Sequence, residues 1–80
     1  MMLKPVTSEK AVKLIDMENT ILFETERISK RDAIKREVEK IFSVKVTKVR
    51  IFIRQNKKFA YVRLSKDYPA IDIATKLGMI

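Results

Sequence analysis

The residues equipped for chemistry in this chain are cations and aromatic rings set at every second position. Lys48, Arg50, Phe52 and Arg54 form one such run, and Phe59, Tyr61 and Arg63 form another. In extended backbone that spacing puts each run on a single face. Ammonium and guanidinium groups neutralise phosphates, and rings set between them give bases a surface to stack on. Bond-breaking chemistry has much less to draw on. The chain has no histidine and no cysteine. That removes thiolates, imidazole ligands, disulfides and the commonest general base. Carboxylates remain, but no spacing gathers them into an acid–base pair or a metal cluster. The sequence therefore reads as a binding protein rather than an enzyme, with no cofactor and no metal.

The charge distribution says the same. Residues 40–66 carry nine Lys or Arg and no Asp or Glu, while the rest of the 80-residue chain carries nine basic and ten acidic residues. The formal excess of +8 thus lies inside that window. So one-sided a field destabilises the free protein unless an anionic partner relieves it. With a sequence pI near 10.0, nucleic acid is the first candidate and an anionic membrane surface the second. No apolar run approaches the roughly 18 residues of a membrane span, and the N-terminus lacks a signal-peptide pattern. One glycine and two prolines leave no linker, repeat or low-complexity tract. A single domain over 1–80 is expected, near the size where one core is marginal. The absence of cysteine fits a reducing compartment.

The elements that position these residues are two strands, 44–54 and 58–64, rich in β-branched and aromatic residues. A two-residue loop at Asn56-Lys57, or a four-residue loop over 55–58, pairs 53 with 60, 51 with 62 and 49 with 64. Val49, Ile51, Ile53, Ala60, Val62 and Leu64 then make an apolar face. On the other face Arg50 lies opposite Arg63 and Phe52 opposite Tyr61. A slip of one residue would mix the two sets. That second face has two readings: an open surface for a polyanion, or a further buried layer under a helix with Lys and Arg snorkelling at its edge.

Around this hairpin the pattern predicts three helices and two more strands. Pro5 excludes a helix at 1–7, and 1–6 offers a short edge strand. Ser8 caps a helix with Glu9 in its first turn and Ala11, Val12, Leu14 and Ile15 on its apolar side. Asn19 closes it, and 20–26 is a strand. Ser29, with Asp32 three residues on, suggests a capping box for a second helix. Its stripe is Ile34, Val38, Ile41 and Phe42, and Lys30-Arg31 at its start is a candidate phosphate contact. Pro69 at the first helical position, Asp72 and a Gly78 stop bound a third helix. The order α-β-α-β-β-α favours an α+β fold with a split βαβ topology. Its sheet would be antiparallel or mixed, with the third main strand between the first and second and the helices packed on it. Which face the last helix covers is not fixed by the pattern.

Several segments together resemble the large-subunit ribosomal protein family L twenty-three, in its short-loop archaeal-type form. They are Pro5-Val6-Thr7-Ser8-Glu9-Lys10, Asn19-Thr20-Ile21 through Phe23, Ile34-Lys35, Val38-Glu39, Ile41-Phe42, Val44-Lys45-Val46 and Ala60-Tyr61-Val62-Arg63-Leu64, with Ile73 after them. Two positions depart from the family pattern. Phe59 stands between Lys57-Lys58 and the Ala-Tyr-Val segment, and Arg50-Ile51 occupies the place of a usual Asn-Thr. The resemblance implies a structural protein of the cytoplasmic large ribosomal subunit, bound to its rRNA beside the polypeptide exit tunnel and to neighbouring ribosomal proteins. It also implies a docking point for signal recognition particle and the translocon, carried by Ser8 and Glu9. The long hairpin extension of the bacterial branch has no counterpart in residues 54–58. Lys4, Lys10, Lys57 and Lys58 complete the candidate RNA-binding set with Lys48, Arg50, Phe52, Arg54, Phe59, Tyr61 and Arg63. The alternative from the same charge pattern is a free-standing basic RNA-binding module outside the ribosome. Salt-resistant cosedimentation with large subunits separates the two.

Overall fold

A computed structural model describes residues 3–78. The elements run β1 (Leu3–Pro5), α1 (Glu9–Glu18), β2 (Thr20–Thr25), α2 (Arg31–Phe42), β3 (Val46–Arg54), β4 (Lys57–Leu64) and α3 (Ala70–Lys76). The four strands make one sheet in the order β1-β2-β4-β3, every neighbour antiparallel. β4 therefore lies between β2 and β3, and α2 links those two parallel strands, which is the split βαβ arrangement expected. β1 supplies the edge strand at Leu3–Pro5. Met1 and Met2, also expected to be extended, lie outside the described residues.

All three helices bury their apolar residues against the same sheet face. Ile15 of α1, Ile34 and Val38 of α2, and Ala70, Ile73 and Ala74 of α3 share one core with Ile21, Phe23, Val49, Ala60, Val62 and Leu64. Phe42 stacks on Phe23 with ring centroids 6.4 Å apart. Val46 and Val49 both join this core although they are three residues apart. A bulge between Val46 and Lys48 absorbs the extra residue, so the pleat resumes with the apolar set still inward. At the bulge the Thr47 hydroxyl donates to the Arg63 carbonyl, and the Val46 N–H donates to Glu39 Oε2.

The hairpin register differs from the one expected. The loop is Gln55-Asn56, and the pairs are Arg54 with Lys57, Phe52 with Phe59, Arg50 with Tyr61 and Lys48 with Arg63. Both loop residues have positive φ, 52° and 64°, the requirement of a type I′ turn. A shift of two residues leaves every side chain on its own face, so alternation could not choose between the registers. Turn chemistry does: asparagine tolerates left-handed backbone better than lysine.

Four further expectations are corrected. Pro69 is the extended N-cap of α3, and the first helical residue is Ala70. Ser29 does not cap α2. The N-cap is Lys30, without a side-chain cap bond, because the Ser29 N–H closes a turn onto the Glu26 carbonyl and its own carbonyl accepts from Lys58 Nζ. Ile41 leaves the stripe and is 53% exposed, since Ile34, Val38 and Phe42 recur every four residues and turn it sideways. Ile53 is on the apolar face but 58% exposed, beyond the reach of the helices at the hairpin tip.

Asn19 does more than end α1. Its αL backbone (φ 52°) turns the chain into β2. Its Nδ2 group, with only two hydrogens to share, donates to the carbonyls of Leu64, Ser65 and Tyr68 at 3.1–3.2 Å. Its Oδ1 accepts from the Ala70 N–H at 2.6 Å, capping α3 from 51 residues away. Asn19→Gly keeps the left-handed backbone accessible while deleting these bonds. It should lower unfolding free energy by roughly 1–3 kcal/mol, read by urea titration. A loss below about 0.5 kcal/mol would mean the side chain is dispensable.

Candidate nucleic-acid interface

Antiparallel pairing sets in rows the side chains of the face opposite the helical core, on which Thr20 and Leu22 are buried and the cations of β3 and β4 are exposed. Lys4, Glu24, Phe59 and Phe52 make one row, Leu22, Tyr61 and Arg50 the next, and Thr20, Arg63 and Lys48 the third. Arg54 and Lys57 face each other at the tip. The three rings form a stack with Phe52 in the middle. Its centroid lies 5.0 Å from that of Phe59 and 5.1 Å from that of Tyr61, with interplanar angles of 16° and 29°. This contact explains why all three are half-buried although the helices bury their apolar residues on the opposite side. The reading of a second buried layer beneath a helix is thus replaced by rings that bury one another.

The cations around the stack are exposed. Lys48, Arg50, Arg54, Lys57 and Arg63 all lie open to solvent, and none forms an ion pair among the described residues. The like-charge pair expected at Arg50 and Arg63 is instead Lys48 and Arg63, because of the register. Arg50 lies opposite Tyr61.

Two hollows flank β3. One, of about 470 Å³, is lined by Arg31, Asp32 and Lys35 of α2 with Lys48 and Arg50 of the strand. The second, of about 290 Å³, lies where α1 meets the open face and is lined by Lys10, Leu14, Glu18, Thr20, Lys48, Arg50, Tyr61 and Arg63. α1 serves two surfaces at once: Ala11 and Ile15 are buried, while Lys10, Leu14 and Glu18, spaced by four, line this hollow.

The structure thus brings Lys10, Lys48, Arg50, Tyr61 and Arg63 together, with Phe52 and Phe59 beside them. Lys4 lies in the Glu24 row on the same face. Lys58 is set apart. It pairs with Ile53 on the helix-covered face, and its ammonium donates to the carbonyls of Arg27 and Ser29. Lys58 ties the β2–α2 loop to β4. Ser8 accepts from the Ala11 N–H at 3.2 Å and so caps α1, next to an exposed Glu9 paired loosely with Lys13 at 3.7 Å. Lys35 and Glu18 escaped the sequence reading, because on an exposed helix face they look like ordinary solvated charge.

A family model described as Ribosomal protein L23 matches residues 1–72. The chain belongs to the ribosomal protein L23 family. It is a large-subunit ribosomal protein, a ribonucleoprotein component that works in translation. The family is structural and non-enzymatic in kind, and it implies association with large-subunit rRNA and other ribosomal proteins.

The Lys48–Arg63 pair gives a direct test of the interface's electrostatics in this L23-family protein. Facing like charges across a strand pair destabilise by roughly 0.2–1 kcal/mol. Lys48→Ala should therefore leave the free protein as stable or slightly more stable in low salt, measured by thermal unfolding. A clear loss of stability would show that the lysine is held by favourable contacts in the free fold.

Proposed function

We propose that the open sheet face binds large-subunit rRNA beside the polypeptide exit tunnel, and that the Ser8-Glu9 start of α1 docks factors that meet the nascent chain. One observation carries the first part. Five exposed cations surround a three-ring stack on one face without a carboxylate partner among the described residues, two like-charge pairs directly facing. Free in solution this is an electrostatic cost; against phosphates it becomes the source of affinity. Lys4 and Lys10 extend the surface, and Arg31 and Lys35 add to it beside β3. Lys58, bound to the loop carbonyls, is outside it. The two-residue hairpin turn leaves no extension to enter a tunnel. In this role the protein works in cytoplasmic ribosomes.

Counterion release tests the rRNA reading. Five to eight neutralised phosphates give log K against log salt a slope of about −4 to −7. Filter binding of the protein to large-subunit rRNA between low and moderate salt measures it. A slope near zero would exclude the polyanion surface.

Docking rests on family resemblance together with geometry: Glu9 is 87% exposed at the side chain and its pair with Lys13 contributes little at such exposure. Signal recognition particle and the translocon are the proposed partners. Ribosomes carrying Glu9→Ala should keep full occupancy of the protein but recruit less signal recognition particle, with folding stability changed by under about 0.5 kcal/mol. Unchanged recruitment would remove Glu9 from the docking surface.

A further inference from the structure

We infer that the hollow between α1 and the open face is a pocket for one unpaired guanine base, read by Glu18. This deepens the RNA-binding reading above and rests on it. Phe52 occupies one face of the Tyr61 ring, with centroids 5.1 Å apart, and Tyr61 lines the hollow. The outer face of Tyr61 is thus the end of the ring stack, where a base continues it. The volume, about 290 Å³, is at the small end of ligand pockets, which span roughly 300–1,000 Å³. That suits a single base and excludes a duplex.

The polar lining has two parts. Lys10, Lys48, Arg50 and Arg63 supply positive charge for the phosphates on either side of the base. Glu18 is the one carboxylate in the lining. It forms no ion pair with those cations and accepts no side-chain hydrogen bond among the described residues, although its backbone carbonyl accepts from Thr20 Oγ1. A carboxylate repels phosphate, so a surface built only for backbone contact gains nothing from it. For a base edge the logic reverses. A carboxylate accepts only, and two oxygens accept best from two adjacent donors. On the Watson–Crick edge guanine alone has such a pair, N1–H beside the N2 amino group. Adenine and cytosine place a ring-nitrogen acceptor beside their amino group, and uracil flanks its N3–H with two carbonyls. Unstacked bases are read on this edge in single-stranded RNA. Glu18 therefore selects guanine, while Tyr61 and the cations hold any nucleotide.

The test is a fluorescence titration of the full chain with labelled RNA pentamers UUGUU, UUAUU and UUIUU, where I is inosine, which lacks the N2 amino group. UUGUU should bind about tenfold tighter than UUAUU, within the range of a single good base contact, with UUIUU between them. Glu18→Ala, an exposed change, should bring all three within about twofold, because the guanine contact is lost while removal of the charge helps all three alike. Tyr61→Leu should weaken all three pentamers roughly 5- to 100-fold, and Tyr61→Phe should leave them unchanged. Equal binding of all three by the native protein, with a steep salt slope, would overturn guanine selection while leaving the rRNA surface intact. A G-to-A ratio that survives Glu18→Ala would also overturn it. Loss of both binding and salt dependence would overturn the pocket together with the reading it rests on.

Discussion

The constraint from which the rest follows is the burial of β4 at the centre of the sheet. It is hydrogen-bonded to β2 on one side and β3 on the other, and Ala60, Val62 and Leu64 are almost wholly excluded from solvent. A strand alternates its side chains, so fixing those three inward forces Phe59, Tyr61 and Arg63 outward. β2 and β3 are locked to the same pleat. The basic face is thus the geometric complement of the core, and its composition cannot be altered by sliding a strand without exposing the apolar set.

That coupling has an electrostatic consequence. The core draws Lys48 opposite Arg63 and Arg54 opposite Lys57, pairs that favour separation in the free protein. The ring stack is the compensating attraction on the same face, burying apolar surface on the side away from the helical core. Together they give a face whose rings pack on one another and whose cations are left without ion pairs among the described residues. Such a surface is suited to a large anion with its own stacking groups, and a ribosomal protein meets one in rRNA.

Asn19 connects the two proposed surfaces. By ending α1 and capping α3 it fixes where α1 lies against the strands. The side of α1 carrying Lys10 and Glu18 is thereby brought beside Tyr61 and Arg63, while Glu9 at its start remains in solvent. With a single glycine in the chain, several sharp turns fall on residues with side chains: Asn19, Ser43, Gln55 and Asn56 all have positive φ. At Asn19 the protein uses that side chain as a tertiary bond.

Local pattern alone determined which elements form, which face of the hairpin is apolar, the placement of β4 between β2 and β3, and the concentration of charge opposite the core. These follow from periodicity, caps and connection rules, all properties of neighbouring residues. The exact register did not follow, because a two-residue shift preserves alternation and only the left-handed turn at Gln55-Asn56 distinguishes it. Nor did the fate of Ser29 and Lys58, which are consumed by a contact between segments 29 residues apart. The role of Asn19 as a cap for α3 and of Glu18 as a lining residue of the hollow were equally invisible. Each depends on where one helix is docked against distant strands, a balance of long-range packing that no local window contains.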